Sequence, residues 1–168
     1  MSKVFVAILM GSDSDLPVVQ AGIDVLKMFN IPVEVKVSSA HRTPVQTHDY
    51  VKDADKRGCG VFICAAGMAA HLAGAVAANT VKPVIGIPVD SGPLQGFDAL
   101  LSTVQMPGGI PVATVAVGKA GAKNAGYLAA QILALSDPQL AAKLTQERLD
   151  NVISIQKKDQ ALQEKLKG

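Results

Sequence analysis

Short apolar runs recur along the chain at residues 4–9, 33–37, 61–66, 84–87 and 113–117, each bounded by Gly, Pro, Ser or Asp and each too short for a helix. They read as strands. Between them Val19, Ile23 and Leu26 recur at helical spacing, Val45, His48 and Val51 do so less cleanly, His71 opens a third helix, and 121–135 is a strongly Ala/Leu-rich helix candidate. Strands alternating with helices predict an α/β protein, and uninterrupted apolar strands predict burial on both sheet faces. With right-handed crossovers, the expected architecture is a three-layer αβα, flavodoxin-like fold. Its doubly wound parallel sheet has five strands in the order 2-1-3-4-5. Residues 137–167 continue in helix formers for roughly 45 Å at 1.5 Å per residue, further than a small domain extends. One domain over 1–168 is therefore expected, with a core of about 1–135 and a C-terminal helical extension of about 137–167 that packs on a neighbouring subunit.

Helix start signals locate the loops. Thr43-Pro44-Val45-Gln46 pairs an N-cap Thr with Pro at the first helical position and Gln three residues after the cap, so the second helix begins near Pro44. Ser14 or Asp15 is expected to cap the helix containing Pro17, leaving 11–14 as a turn. Both loops follow strand C-terminal ends. The crevice of such a sheet opens where the connections switch sides, between the first and third strands, and the third exit, 65–71, brings small residues that let a ligand approach the backbone. The Gly/Pro-punctuated segments 88–96 and 106–111 read as shaped loops.

Composition narrows the function classes. The 168 residues are 49% hydrophobic, enough for one sizeable core, and the +2 charge from 16 basic and 14 acidic residues contains no dense basic run, against a nucleic-acid partner. Four Phe, two Tyr and no Trp leave few rings for stacking bases or a flavin. Met1-Ser2-Lys3 runs straight into a strand without the pattern of a secretory signal, and no apolar stretch approaches the roughly 20 residues of a membrane span, so a cytoplasmic protein with no membrane association is expected. Cys59 and Cys64 lack CxxC spacing and read as buried, inert thiols.

The chemistry lies on the strand exits. Ser12 and Ser14 offer hydroxyls at a helix start, where an anion is favoured; Asp15 is better placed to accept from sugar hydroxyls than to face a phosphate. Arg42 can fork onto a phosphate, with Ser39 donating to the same group. His41 is the one histidine on a strand-exit loop beside an anion site, and imidazole is the side chain suited to reversible proton transfer at neutral pH. His48 reads as structural, and His71 as holding its loop. No zinc spacing, Walker loop, GxSxG elbow or GxGxxG fingerprint is present, and Asp13 with Asp15 makes a poor metal pair, so no metal or other cofactor is expected.

The segments MGSDSD, SSAHRTP, AAGMAAHLAG and QMPGGIPVATVAVGKAGAKNAGYLAAQIL, in this order, closely resemble the class I N5-carboxyaminoimidazole ribonucleotide mutases of purine (IMP) biosynthesis. The resemblance runs from about residue 4 to 135. It implies an isomerase that moves a carboxylate from the exocyclic N5 of an imidazole ribonucleotide to ring carbon C4 without metal, ATP or organic cofactor. It also implies a homo-octamer with sites near subunit junctions, and coupling to the ATP-dependent synthase that makes the carbamate. Carried over by motif, Ser12, Asp15 and Arg42 bind substrate, Ser39, Ala40 and Gly67 line the nucleotide and carboxylate pocket, and His41 is the acid/base. A small apolar pocket near Ala66, Gly67 and Ala70 is expected to retain carbon dioxide.

The chain departs from the commoner family pattern at Met68, where a second Gly is usual, and at Ala73, where Pro is usual; Asp90 and Pro93 vary the following loop. Met68 bears on pocket size. The nearest rival is a class II aminoimidazole ribonucleotide carboxylase using free carbon dioxide, against which His41-Arg42-Thr43-Pro44 and Ala69-Ala70-His71-Leu72 resemble class I. A non-catalytic, flavodoxin-like electron carrier is the alternative from another class, opposed by the absent Trp and the acidic first loop.

Overall fold

A computed structural model describes residues 4–167. The reading of Met1-Ser2-Lys3 lies outside them. Strands β1 (Phe5–Met10), β2 (Val33–Val37), β3 (Cys59–Gly67), β4 (Val84–Val89) and β5 (Ala113–Thr114) form one sheet in the order β2-β1-β3-β4-β5, every neighbouring pair parallel. This is the expected doubly wound topology. Helices α1 (Leu16–Met28), α2 (Pro44–Lys56), α3 (Leu72–Ala77), α4 (Phe97–Val104), α5 (Lys119–Ala134) and α6 (Pro138–Lys167) complete the chain.

Side-chain alternation along β1 divides the core. Val6, Ile8 and Met10 pack with Val19, Ile23 and Leu26 of α1 and with Ala122, Ala125 and Ala129 of α5. Phe5, Ala7 and Leu9 face the other way, against Val51 and Ala54 of α2 and Leu72 and Val76 of α3. β1 and β4 are buried throughout, as uninterrupted apolar runs require when helices cover both faces. The edge strands depart from this: β5 is not buried at either residue, and in β2 Val-Glu-Val-Lys-Val alternates and leaves Val35 and Val37 exposed.

β5 ends at Thr114 rather than near 117, although Val115 N still donates to Gly86 O at 3.1 Å and Gly118 N to Pro88 O at 2.8 Å, which keeps the chain beside β4. α4 was not expected from the sequence reading. Phe97, Leu101 and Val104 recur at helical spacing, but that apolar side stays exposed while the opposite side buries Ala99 and Thr103.

At the start of α6, Asp137 Oδ1 accepts from Gln139 N and Leu140 N, both at 3.0 Å, and Leu140 is buried against the core. The Tyr127 hydroxyl donates to Glu147 Oε1 at 2.6 Å, and from residue 148 to 167 every residue is exposed. No helix among the described residues is long and apolar enough to cross a membrane.

Helices α1 and α5 meet at backbone distance. A Cβ added to Gly22 would lie 2.6 Å from Ala122 O, inside any permitted contact, so the two helices must separate to admit it. Gly22→Ala is expected to destabilise the protein by about 1–3 kcal/mol, the usual cost of overpacking, read as a lower denaturant midpoint with an unchanged slope.

Candidate functional site

The sheet hydrogen bonds run one residue past the strands. Gly11 N donates to Ala65 O at 3.0 Å and Ser38 N to Met10 O at 2.8 Å, which holds the exits of β1, β2 and β3 side by side. In the first exit Ser12, not Ser14 or Asp15, supplies the capping oxygen. Its Oγ accepts from Ser14 N at 3.3 Å and from Ser14 Oγ at 2.8 Å, closing a 3-10 turn over Asp13–Asp15 before α1. The expected cap of α1 by Ser14 or Asp15 is not made, because that turn carries the chain into the helix with Asp15 already in a helical conformation. The Asp15 side chain turns inward instead. Desolvation pushes its carboxyl above the usual range, a backbone hydrogen bond from Ser12 opposes the shift, and the Asp13 charge adds to it.

The second exit is tied by its own hydroxyls. Thr43 Oγ1 accepts from Ser39 N and donates to Ser39 O, both at 3.0 Å, so it closes the loop rather than capping α2 as expected. Ser39 Oγ accepts from Arg42 N at 3.1 Å, which leaves its own hydrogen free to donate. Beneath the loop Ser38 and Thr47 share a buried hydroxyl contact of 2.6 Å. The result is a stiff turn with His41 and Arg42 exposed at its tip. Among the described residues Arg42 makes no ion pair, so its guanidinium is available to an anion.

His41 does not stand alone. Its Nε2 lies 2.6 Å from His71 Nδ1, and the two rings meet edge to face at 82°. Only one of the two facing nitrogens carries the hydrogen, so each ring selects the tautomer of the other. His71, expected to hold its loop, ties the third exit to the second through this contact, and Ser102 of α4 fixes the same loop's backbone, its Oγ accepting from Ala70 N at 2.9 Å. His48 is exposed beside Asp49, at 3.0 Å, and has no place in the core.

One cavity of about 480 Å³ gathers these pieces. Ser12, Ser14 and Asp15 line it from the first exit, Ser39, Ala40, His41 and Arg42 from the second, and Gly67 from the third. Ala66, Met68, Ala69 and His71 line it too, whereas Ala70, expected in the pocket, is buried at 2% exposure beneath it. Ser91, in the loop after β4, was not foreseen. Applying the strand-exit rule to a fourth strand, and not only to three, would have found it. A cavity of about 560 Å³ at the other end of the sheet includes Asp137, which is occupied in capping α6.

Among the described residues no three His, Cys, Asp or Glu side chains gather as metal ligands. Both cysteines are buried and burial pushes their thiols up, Cys59 to about 11 and Cys64 further, so neither is a nucleophile at neutral pH.

Fold and cavity together define a flavodoxin-like α/β protein with a small-molecule site at the switch point of its sheet. The chain belongs to the AIR carboxylase family, whose sequence model matches residues 5–152. It is 55% identical over 143 residues to the N5-carboxyaminoimidazole ribonucleotide mutase of Bacillus subtilis (strain 168), covering 85% of this chain and 88% of that one. To the mutase of the same name from Mycobacterium tuberculosis (strain H37Rv) it is 52% identical over 160 residues, covering 94% and 90%. Among solved structures, the crystal structure of Treponema denticola PurE superposes with a TM-score of 0.86 at 30% identity, covering 95% of this chain and 99% of that one.

A raised carboxyl pKa means that the folded protein binds the proton more tightly than the unfolded chain. Ionised Asp15 therefore costs stability above its folded pKa, and that cost disappears as pH falls through it. Asp15→Asn is expected to raise the thermal midpoint by about 2 °C at mildly alkaline pH and by less in acid, while weakening nucleotide binding. Melting curves at the two pH values, with and without a ribonucleotide monophosphate, check both halves.

Proposed function

We propose that this protein, acting as a single domain over its whole length, isomerises N5-carboxyaminoimidazole ribonucleotide to 4-carboxy-5-aminoimidazole ribonucleotide in purine biosynthesis. The observation that carries this reading is the convergence in one cavity of an unpaired guanidinium, a hydroxyl-rich turn, an imidazole pair and a floor of small residues. Its similarity over most of its length to several N5-carboxyaminoimidazole ribonucleotide mutases supports the same reaction.

In this reading Ser12, Ser14, Ser39 and Arg42 hold the ribose phosphate and Asp15 accepts from sugar hydroxyls, whose donation offsets the cost of its burial. The carbamate N–C bond breaks, carbon dioxide leaves, and N5 keeps the electron pair and takes a proton. Ring C4 then attacks the trapped carbon dioxide and gives up its own proton. His41 carries that proton, with His71 fixing the orientation of its ring. One proton is taken and one returned, so the step needs no external acid or base. Ala40, Ala66 and Gly67 supply a dry wall that keeps the carbon dioxide close to C4.

The exposed Leu149, Val152, Ile153 and Ile155 of α6 support subunit packing, and a homo-octamer is the assembly proposed. The labile carbamate substrate favours hand-over from an ATP-dependent synthase in the cytoplasm. Sedimentation velocity tests the assembly; a monomer would remove it.

The decisive assay supplies freshly made N5-carbamate with chelator and without ATP, and the 4-carboxy product is expected. Turnover of aminoimidazole ribonucleotide at low bicarbonate, with no need for the carbamate, would establish direct carboxylation instead, and a yellow protein retaining flavin would point to an electron carrier. His41→Asn is expected to lower kcat by about 10²–10⁴-fold with nucleotide binding retained. Arg42→Ala is expected to cost about 2 kcal/mol in binding the nucleotide and far less in binding its nucleoside, measured by calorimetry.

A further inference from the structure

His71 can orient His41 only if its own backbone is held. β3 ends at Gly67 and α3 begins at Leu72, so residues 68–71 belong to neither element. On the α3 side the chain is fixed by the first helical hydrogen bond, Ala75 N donating to His71 O at 2.9 Å, while His71 N donates to Ala69 O at 2.9 Å inside the loop. On the other side the fixing group comes from α4. Ser102 Oγ accepts from Ala70 N at 2.9 Å, one residue before the imidazole and 32 positions away in sequence.

The hydroxyl is preorganised for this bond. Its single hydrogen goes to Asp98 O at 2.8 Å, the carbonyl one turn back in α4, with Met68 O a more distant acceptor at 3.4 Å. That back-bond fixes the side-chain rotamer and leaves a lone pair for Ala70 N. α4 is itself held by its buried Ala99 and Thr103, so the anchor is a rigid one. Ala70 is buried at 2% exposure, and its N–H has no solvent to turn to if the hydroxyl is removed. His71, the next residue, is exposed at the cavity that Ser102 does not line. A backbone shift at Ala70 therefore becomes a displacement of the ring.

We propose that Ser102 is a positioning residue of the reaction: by fixing Ala70 N it sets where His71 Nδ1 meets His41 Nε2, and so the orientation of the imidazole that carries the C4 proton. This rests on the isomerase reading above. The ring contact of 2.6 Å tolerates little displacement, because a hydrogen bond weakens steeply as its geometry degrades. Without the Ser102 hydroxyl, His41 keeps its own loop, tied by Ser39 and Thr43, and loses only the ring that orients it. Ser12, Ser39 and Arg42 lie on the other exits, so the groups assigned to the phosphate stay in place.

The test measures kcat and KM for the N5-carbamate in the wild type, Ser102→Ala, Ser102→Thr, His71→Ala and the variant carrying both alanines. Ser102→Ala is expected to lower kcat about tenfold with KM changed by less than about twofold, and Ser102→Thr, which keeps the hydroxyl, to stay near the wild type. In the His71→Ala background Ser102→Ala is expected to cost nothing further, because no ring is left to position. If Ser102→Ala does not fold, Ser102→Cys, whose thiol is a weak acceptor, replaces it in both backgrounds. An equal loss in the two backgrounds, a Thr variant as slow as the Ala variant, or an unchanged kcat overturns the proposal and leaves the isomerase reading intact. A wild type that makes no product from the carbamate overturns the isomerase reading, and this assignment with it.

Discussion

Everything at the candidate site depends on β1 being paired in parallel on both sides. Because β2 lies on one flank and β3 on the other, the chain leaves the middle of the sheet in two directions, and the connections separate above the C-terminal end of β1. The hydrogen bonds from Gly11 N to Ala65 O and from Ser38 N to Met10 O carry that alignment beyond the strands. Three loops that are distant in sequence therefore start from fixed, adjacent points. Their reach across the cavity is then set by short-range hydroxyl bonds at Ser12, Ser39 and Thr43, and not by flexible side chains.

The two charged groups at the cavity are treated oppositely. Arg42 is exposed and, among the described residues, makes no ion pair, so it keeps its charge at little cost and can meet a phosphate as a fork. Asp15 is buried beside another carboxylate with one backbone donor to offset desolvation, an arrangement that hydroxyl donors from a ligand improve. The imidazole pair lies between these extremes. Two rings in contact leave one shared hydrogen between them, which orients His41 without a carboxylate partner.

Much of this was legible in the sequence because it is local. The apolar runs, Pro44 as the first residue of α2 and the small residues at strand exits each follow from a few neighbouring positions, and the order 2-1-3-4-5 follows from them through the crossover rule. What was not legible depends on contacts between distant segments. Thr43 looks like a helix cap until Ser39 N is placed 3.0 Å from its hydroxyl, and His71 looks like a loop residue until the fold brings it to His41, 30 positions away. α4 differs: its apolar residues do follow the helical period, but the stretch is only 97–104 and its apolar face points away from the core. The outer part of α6 was legible as a helix, and it runs past residue 152, where the match to the family ends, without touching the sheet that organises the site.

Sequences that specify one structure satisfy local preference and global packing together, so positions where the two conflict identify demands other than folding. Three non-glycine residues among those described have positive φ: Asn30, Met68 and Gln95. Asn30 follows the end of α1, where a left-handed residue is an ordinary helix terminator, so it needs no further cause. Met68 lines the cavity, and Gln95 lies in the loop that Met68 contacts through Gly92. The buried carboxylate of Asp15 is a conflict of another kind, between charge and burial, and it lines the same cavity. Backbone strain and buried charge have no common origin in folding. Met68 and Asp15 meet at one opening, so the places where local preference gives way lie at the cavity and not in the core.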